Sequence, residues 1–294
     1  MTAVFGALTV AGFAGALAWY LDLANHFRVQ YALILSVAGL AAALLRSYAV
    51  AGPAVALAVT NLAVVAPLGD AEPPEAGPPE LTVLVLNLSA GNDDYGAVAD
   101  LVRRRRPDLF AVAELTPAWA RELEGVLEPY ESRLLAPRQT PWGLGLYSRR
   151  PLSAAATLLP AGSKYPVLAA TIAGRTRPIR LVLLHPQVSS STSVAARHEL
   201  FFDVAAASVR DAGSRMILGD LNTAPWSDEY DELLGAAAVE DTRAGYGLQT
   251  SWPSFLPTIL RLPIDHVLVS PDLAASDREV GPEVGSDHLP VWVE

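Results

Sequence analysis

The sequence predicts an α/β chain preceded by three membrane-spanning helices, and three observations carry that prediction. The first 69 residues hold only three charged side chains, Asp22, Arg28 and Arg46. A Pro- and acid-rich segment, Asp70–Glu80, then changes the composition abruptly. Beyond it, short β-branched apolar runs alternate with amphipathic stretches at helical spacing, as strands do when they exchange with helices.

Composition narrows the function classes. Of 294 residues, 51% are hydrophobic and 18% charged, and Lys164 is the only lysine. A net charge of −10 excludes a chain that coats nucleic acid wholesale, because it cannot neutralise a phosphate backbone. It leaves room for an enzyme that cuts phosphoesters at a local site. The absence of cysteine excludes disulfide frameworks, zinc ribbons, iron–sulfur clusters and thiol nucleophiles.

Within residues 1–69 the charges separate three apolar stretches, Val4–Leu21, Gln30–Leu45 and Val50–Leu68. A span needs about 20 apolar residues. The middle stretch reaches that length with Val29, Ser47 and Tyr48. Trp19, Tyr20, Tyr31 and Tyr48 lie near the ends, where amphipathic rings favour the interface. A cleaved signal peptide would start with basic residues and carry one apolar core, and soluble helices would show a polar face. Neither describes this region, so a lipid bilayer is the expected partner of residues 4–68.

The segment DAEPPEAGPPE, residues 70–80, holds four prolines and four acids and reads as a stiff, solvated linker. Residues 81–294 form the second domain, large enough for one core. Leu81–Asn87, Asp108–Glu114, Arg133–Ala136, Leu144–Tyr147, Val167–Ile172, Ile179–Leu184, Met216–Leu221, Ile264–Ser270 and Leu289–Val293 read as strands. Tyr95–Arg105, Thr116–Val126, Val194–Arg210 and Asp228–Leu234 read as helices, with Thr116 as N-cap and Pro117 in the first turn.

Several strands end in polar residues: Asn87, Glu114, His185, Asp220 with Asn222, and Asp265. Ser286-Asp287-His288 precedes the last strand. One such ending is ordinary turn chemistry. Six together predict strand ends converging on one site. Asn87, Glu114 and Asp287 offer hard oxygen ligands, which favour Mg²⁺ or Mn²⁺ over zinc. His185 and His288 can carry charge or donate to phosphoryl oxygens. Asp220 is a candidate general base, with Asn222 beside it, and Asp265 can fix a histidine tautomer. Together these groups suit metal-assisted hydrolysis of a phosphoester.

Leu84–Asn87, Pro107–Glu114, GDLNTAPWS at Gly219–Ser227, IDHVLVS at Ile264–Ser270 and SDHLPV at Ser286–Val291 resemble the endonuclease/exonuclease/phosphatase superfamily. The apolar region ahead of them resembles its bacterial membrane-anchored branch. The resemblance implies a four-layer sandwich of two packed mixed sheets flanked by helices. It implies Glu114 as main metal ligand, with Asn87 nearby and Asp287 as a second-side ligand. Asp220 would orient or deprotonate the attacking water, and Asn222 would bind phosphate. His288 would contact the scissile phosphate with Asp265 as its partner, and His185 would be a further catalytic histidine. Ser89 stands where abasic-site endonucleases carry an aspartate ligand, which argues against that substrate. Tyr147 is the candidate for their phosphate-binding tyrosine.

Other residues read as bland. His266 should point away from Asp265 and be structural, and His198 should be an exposed or capping helix residue. His26 has no assignable role, and Arg103–Arg106 reads as a solvated helix end. Trp142, Trp226 and Trp252 fall in loops beside the motifs. The expected activity is phosphoester hydrolysis at the membrane, on nucleic acid or a phospholipid headgroup; the alternative is a catalytically silent binding module on the same fold. Three spans put the termini on opposite sides of the membrane. Arg46 in the second loop, and the lack of basic residues after the third span until Arg103, place the catalytic domain outside the cytoplasm.

Overall fold

In a computed structural model, residues 2–70 and 78–294 are described. Residues 71–77 of the expected linker lie outside the described residues.

The N-terminal part is helical: α1 (Thr2–Gly12), α2 (Trp19–Asp22), α3 (Arg28–Leu44), α4 (Tyr48–Val65) and α5 (Pro67–Asp70). Two helical stretches, Trp19–Leu44 and Tyr48–Val65, are long and apolar enough to cross a bilayer. α3 and α4 pack as a hairpin around the turn at Arg46. A Cβ on Gly39 would lie 2.9 Å from Val55, so glycine lets the two helices approach closely. Val37, Leu40, Val55 and Val59 leave large apolar surfaces outside the pair.

The expected first span, Val4–Leu21, is corrected: among the described residues two long apolar helices are present, not three. α1 stops at Gly12, and its 11 residues rise only about 16 Å, roughly half of a hydrocarbon core. A single 3₁₀ turn at Gly15–Leu17 and an extended Ala18 separate it from α2. The break is held by a buried polar cluster. Asn25 Nδ2 donates to the Gly12 carbonyl at 3.0 Å and to Asp22 Oδ1 at 2.9 Å. Arg28 Nη1 donates to the Thr9 carbonyl at 2.9 Å, and Asn61 Nδ2 to Thr9 Oγ1 at 2.9 Å. Buried backbone and side-chain groups freed from the helix thus find partners, as they must.

Residues 78–294 form two six-stranded sheets. The first orders β11 (Arg278–Val280), β12 (Val291–Val293), β1 (Val83–Asn87), β2 (Leu109–Ala113), β4 (Leu144–Ser148) and β3 (Ser132–Ala136). The second orders β5 (Leu152–Leu158), β6 (Val167–Ala173), β7 (Pro178–Leu183), β8 (Ser214–Asp220), β10 (Asp265–Val269) and β9 (Glu240–Asp241). Only β1–β2 and β7–β8 are parallel pairs, so both sheets are mixed.

Side-chain alternation builds the layers. Val83 and Val85 face Leu181, Leu183 and Leu218 between the sheets. Leu84 and Leu86 face outward under α6 (Tyr95–Arg105) and α7 (Pro117–Glu122), with Phe110 and Trp119. Val182 and Ile217 face α8 (Thr192–Val209) and α9 (Asp228–Ala237), with Phe201 and Tyr230. Central strands buried on both faces explain why they read as unbroken apolar runs. The result is the expected four-layer sandwich. Thr116 caps α7 by accepting from Trp119 N–H.

Among the described residues, hydrogen bonds join the helical part to the sandwich at three places. Asp22 accepts from the backbone at the start of α9. The Leu68 carbonyl accepts from Gly245 and Gly247 N–H, both at 3.2 Å. Gln30 Nε2 donates to the carbonyls of Ile259 and Arg261 at 3.4 and 3.3 Å.

Candidate active site

Register brings the polar strand ends together. Asn87 ends β1 and pairs with Ala113, so Glu114 follows on the adjoining strand. Asp220 ends β8 and pairs with Asp265, which opens the antiparallel β10. His185 follows β7, the parallel neighbour of β8. His288 precedes β12, which runs antiparallel to β1. Both sheets thus deliver their polar ends to one end of the sandwich.

A continuous polar chain runs across the gap between the sheets. Asn87 Nδ2 donates to Glu114 Oε1 at 3.2 Å and to Asp220 Oδ2 at 3.0 Å. His185 Nε2 lies 3.3 Å and His288 Nε2 3.6 Å from the same Asp220 oxygen. His288 Nδ1 lies 2.8 Å from Asp265 Oδ2, which fixes the ring and leaves Nε2 facing Asp220. Ser286 Oγ donates to the Asn87 carbonyl and accepts from His288 N–H, tying the SDH turn to β1. Asn222 lies at the rim, its N–H donating to Asp220 Oδ1 at 3.0 Å and its amide to the Pro186 carbonyl. Asp287 is half-buried and accepts from Trp252 Nε1 at 3.2 Å. Its side chain makes no hydrogen bond to the Glu114–Asn87 pair among the described residues.

The backbone is strained where the site is built. Glu114, Asn222 and Ser89 adopt φ of 57°, 52° and 55°, a region that non-glycine residues rarely occupy. Gly219 has φ 132°, and a Cβ there would lie 2.1 Å from the Leu184 carbonyl oxygen. Only glycine therefore lets β8 approach the strand that leads to His185.

Electrostatics follow from burial and proximity. Burial opposes charge on all three central groups, and their mutual attraction outweighs it. The Asp220 carboxyl is held well below the usual range by the charges of His288 and His185 and by hydrogen bonds from His185 and Asn87. Against its burial, His288 is raised to about 9 by Asp265 and then Asp220. His185 is raised too, chiefly by Asp220. His288 therefore presents positive charge beside Asp220, and His185 is shifted towards its charged form there.

Glu114 differs. It accepts from the Ala90 N–H at 2.7 Å and from Asn87, both neutral donors. Among the described residues no Lys or Arg pairs with it. A partly exposed carboxylate with neutral partners, next to an amide and a second carboxylate, fits a hard divalent cation. Asp220, Asp265 and His288 also lie within 4.8 Å of one another. The Asp265–His288 hydrogen bond accounts for that group as a carboxylate–histidine pair.

Two expectations outside this set are corrected. Tyr147 is not at the site: its position in β4 turns it into the outer core against Phe110, with its hydroxyl buried and unpartnered. His198 is buried, not exposed: it packs on the edge of Phe202, with Nδ1 3.4 Å from Ser189 Oγ. Burial drives its pKa down to about 3. His266 is structural, its Nε2 2.8 Å from the Thr223 carbonyl oxygen and its Nδ1 against Tyr230 and Arg243. Of the loop tryptophans, Trp142 lies over His185 with ring centres 5.0 Å apart and is itself backed by Tyr165. Trp252 is tied to Asp287. The loop positions of these rings flagged them, but no sequence spacing predicted which site residue each would touch.

The sequence profile of the Endonuclease/Exonuclease/phosphatase family matches residues 84–288. No curated protein matches the chain. Among solved structures, the fold is similar to an AP endonuclease from Archaeoglobus fulgidus, with TM-score 0.61 and 15% identity over 73% of this chain and 98% of that one. It is similar to the 3'-5' exonuclease NExo from Neisseria meningitidis, with TM-score 0.60 and 21% identity over 73% of this chain and 99% of that one. It is also similar to D. rerio TDP2 complexed with a single-strand DNA product, with TM-score 0.60 and 15% identity over 72% and 97%. With a family profile spanning most of its length and the strand-end residues gathered at one site, the chain belongs to the endonuclease/exonuclease/phosphatase family.

Proposed function

We propose that the protein is a membrane-anchored phosphoester hydrolase that uses Mg²⁺ or Mn²⁺ and an activated water. One observation carries this reading: Asp220 lies between His185 and His288 and is bridged through Asn87 to Glu114, a carboxylate with no cationic partner among the described residues. Glu114, with Asn87 and Asp287, would hold the metal. Asn87 would turn its amide over to present oxygen. When bound, the cation offsets negative charge on phosphoryl oxygens and orients the substrate.

The chain's own residues supply the rest. Asp220 accepts a hydrogen bond from the attacking water and aims it; its depressed pKa makes it an orienting group first and a proton acceptor second. His288, kept protonated by Asp265, places charge and a proton at the scissile phosphate. His185 adds a second ring nitrogen facing Asp220, with its pKa raised, and Trp142 excludes water from one side of its ring. Asn222 Nδ2, now on the Pro186 carbonyl, is the neutral donor at the rim for a phosphoryl oxygen. TDP2 was solved with a DNA product; for this chain a nucleic-acid diester and a phospholipid headgroup both suit the chemistry.

The anchor in this reading is the α3–α4 hairpin, whose outward apolar side chains meet lipid. Arg46, exposed at the hairpin tip, marks the cytoplasmic end. Both ends of the hairpin away from Arg46 then lie outside with the catalytic domain. Protease digestion of a C-terminally tagged chain in intact cells checks this; digestion only after lysis would reverse the orientation. Activity is tested on bis-p-nitrophenyl phosphate with Mg²⁺ or Mn²⁺, with and without chelator. Absence of metal-dependent turnover by the full chain would leave the silent binding module as the reading.

A further inference from the structure

Six large hydrophobic side chains are exposed in residues 78–294, and three of them fall on one short stretch. Phe255 is 75% exposed, Ile259 46% and Leu260 38%. The stretch is ordered by its own contacts. Arg261 Nε donates to the Leu256 carbonyl and Nη2 to the Ser254 carbonyl, both at 2.6 Å, and Thr250 Oγ1 donates to the Thr258 carbonyl. A fixed apolar patch kept in the open marks a contact surface.

Its two ends identify what it contacts. At one end, Ser254 N–H donates to the Asp287 carbonyl at 2.7 Å and Ser254 Oγ to the Ser286 carbonyl at 2.8 Å. The patch is therefore joined to the turn that carries His288. At the other end, Gln30, in the first turn of α3, holds the Ile259 and Arg261 carbonyls. The exposed apolar side chains of α3, Leu33, Val37 and Leu40, continue from the same helix end. Charge points the same way. In a chain of net charge −10, residues 251–264 contain no acid, and their one charged side chain is Arg261. A polyanionic strand would need more basic residues than this, whereas an apolar lip with one arginine suits a headgroup layer.

We propose that residues 253–261 are a lip seated in the headgroup layer beside α3, and that the site takes the phosphoester of a membrane-lipid headgroup. The substrate half rests on the reading of the site as a phosphoester hydrolase; the seating of the lip does not. Phe255, Ile259 and Leu260 enter the boundary of the acyl region, and the adjoining SDH turn then lies at headgroup depth. The reaction is hydrolysis: water adds to phosphorus, the ester oxygen leaves with a proton, and no other co-reactant is needed.

The experiment uses the full chain reconstituted in vesicles of phosphatidylcholine and phosphatidylglycerol. Because the sequence has no cysteine, Phe255→Cys and, as reference, Leu159→Cys each take a single nitroxide label. Collision with oxygen against a water-soluble nickel chelate reads depth. The label at position 255 is expected to be shielded from nickel and the one at 159 open to it; equal nickel access at both overturns the seating. In parallel, the triple variant F255S/I259S/L260S should lower headgroup release from vesicle lipid by about tenfold or more, since each apolar group lost weakens seating. Its turnover of soluble bis-p-nitrophenyl phosphate should be unchanged. Equal loss on both substrates, or turnover of single-stranded DNA with none of vesicle lipid, overturns the substrate half. If the parent chain hydrolyses nothing, the hydrolase reading fails and the substrate half with it, while the labels still decide the lip.

Discussion

The Asp22 carboxylate accepts the backbone N–H of Asp228 at 2.8 Å, joining the N-terminal helices to the first turn of α9. Its other oxygen accepts from Glu229 N–H at 3.4 Å. Ser227, at the N-cap position, makes no side-chain cap and leaves its hydroxyl buried and unpartnered. The cap of α9 thus comes from more than 200 residues upstream. The approach is close, for a Cβ on Gly15 would fall 2.2 Å from the Asp228 carboxylate. Because α9 follows directly on the Asp220–Ser227 turn, the N-terminal helices brace the loop that carries the site.

Removing that brace should be measurable. Asp22→Ala is expected to cost about 1–2 kcal/mol, the usual worth of a strong N-cap, and Asp22→Asn less because it keeps an acceptor. Denaturant midpoints of the full chain in detergent check this. An Asp22→Ala midpoint equal to that of the parent would show that the contact contributes nothing.

Glu229 makes stability depend on pH. Its pKa is raised to about 7, first by burial and then by Asp22, Glu199 and Glu232. An acid with a raised folded pKa holds its proton longer in the folded state than in the unfolded one. Stability should therefore fall as pH rises from the unfolded value of 4.5 towards 7. The loss attributable to this group is on the order of 3 kcal/mol. Urea melts of Glu229→Gln across that window should be flatter than those of the parent, and parallel curves would refute the assignment.

How much of this was legible in the sequence depended on burial. β1, β2, β7, β8 and β10 are covered on both faces, so each appears as an apolar run with a polar end. β5 is alanine-rich, exposed and at a sheet edge, and β9 and β11 have two and three residues. None carries a hydrophobic period to read. The N-terminal helices show the opposite failure. Hydropathy averages over Gly12, Gly15 and Ala18 and sees a span, while the helix breaks there. The cluster that permits the break joins Thr9, Asn25, Arg28 and Asn61, which no local pattern connects. Asn87, Glu114, His185, Asp220 and His288 were legible as strand ends. The Trp252–Asp287 bond and the Trp142–His185 contact were not, because loop aromatics have no period.

The Asp265–His288 pair should govern the alkaline side of the activity profile. Asp265 is the largest influence raising His288, against a burial that lowers it. If the His288 cation is needed, activity persists up to about pH 9 and falls beyond it. Asp265→Asn removes the charge, so the alkaline limb should move to lower pH. His288→Ala should reduce kcat by roughly 10²–10⁴, the usual cost of losing acid–base or charge stabilisation. A pH–rate profile that Asp265→Asn leaves in place would exclude the pairing as the source of the charge.

Glu114 offers the sharpest test of the metal. Its strained backbone, with φ 57°, aims a carboxylate at Asn87 with only neutral donors around it. Left-handed strain of this kind costs on the order of 1–3 kcal/mol at a non-glycine residue. Glu114→Gln keeps shape and hydrogen bonding while removing the charge. Metal-dependent turnover should then fall by about two orders of magnitude or more, with the fold retained. Calorimetric Mn²⁺ affinity should weaken in step, because a hard cation gains little from a neutral amide. Glu114→Gly, by contrast, would relieve the strain while deleting the ligand, and should raise the melting midpoint of the metal-free chain as activity disappears. If Glu114→Gln binds Mn²⁺ as the parent does, the cation is held elsewhere, and Asp220 with Asp265 becomes the set to test.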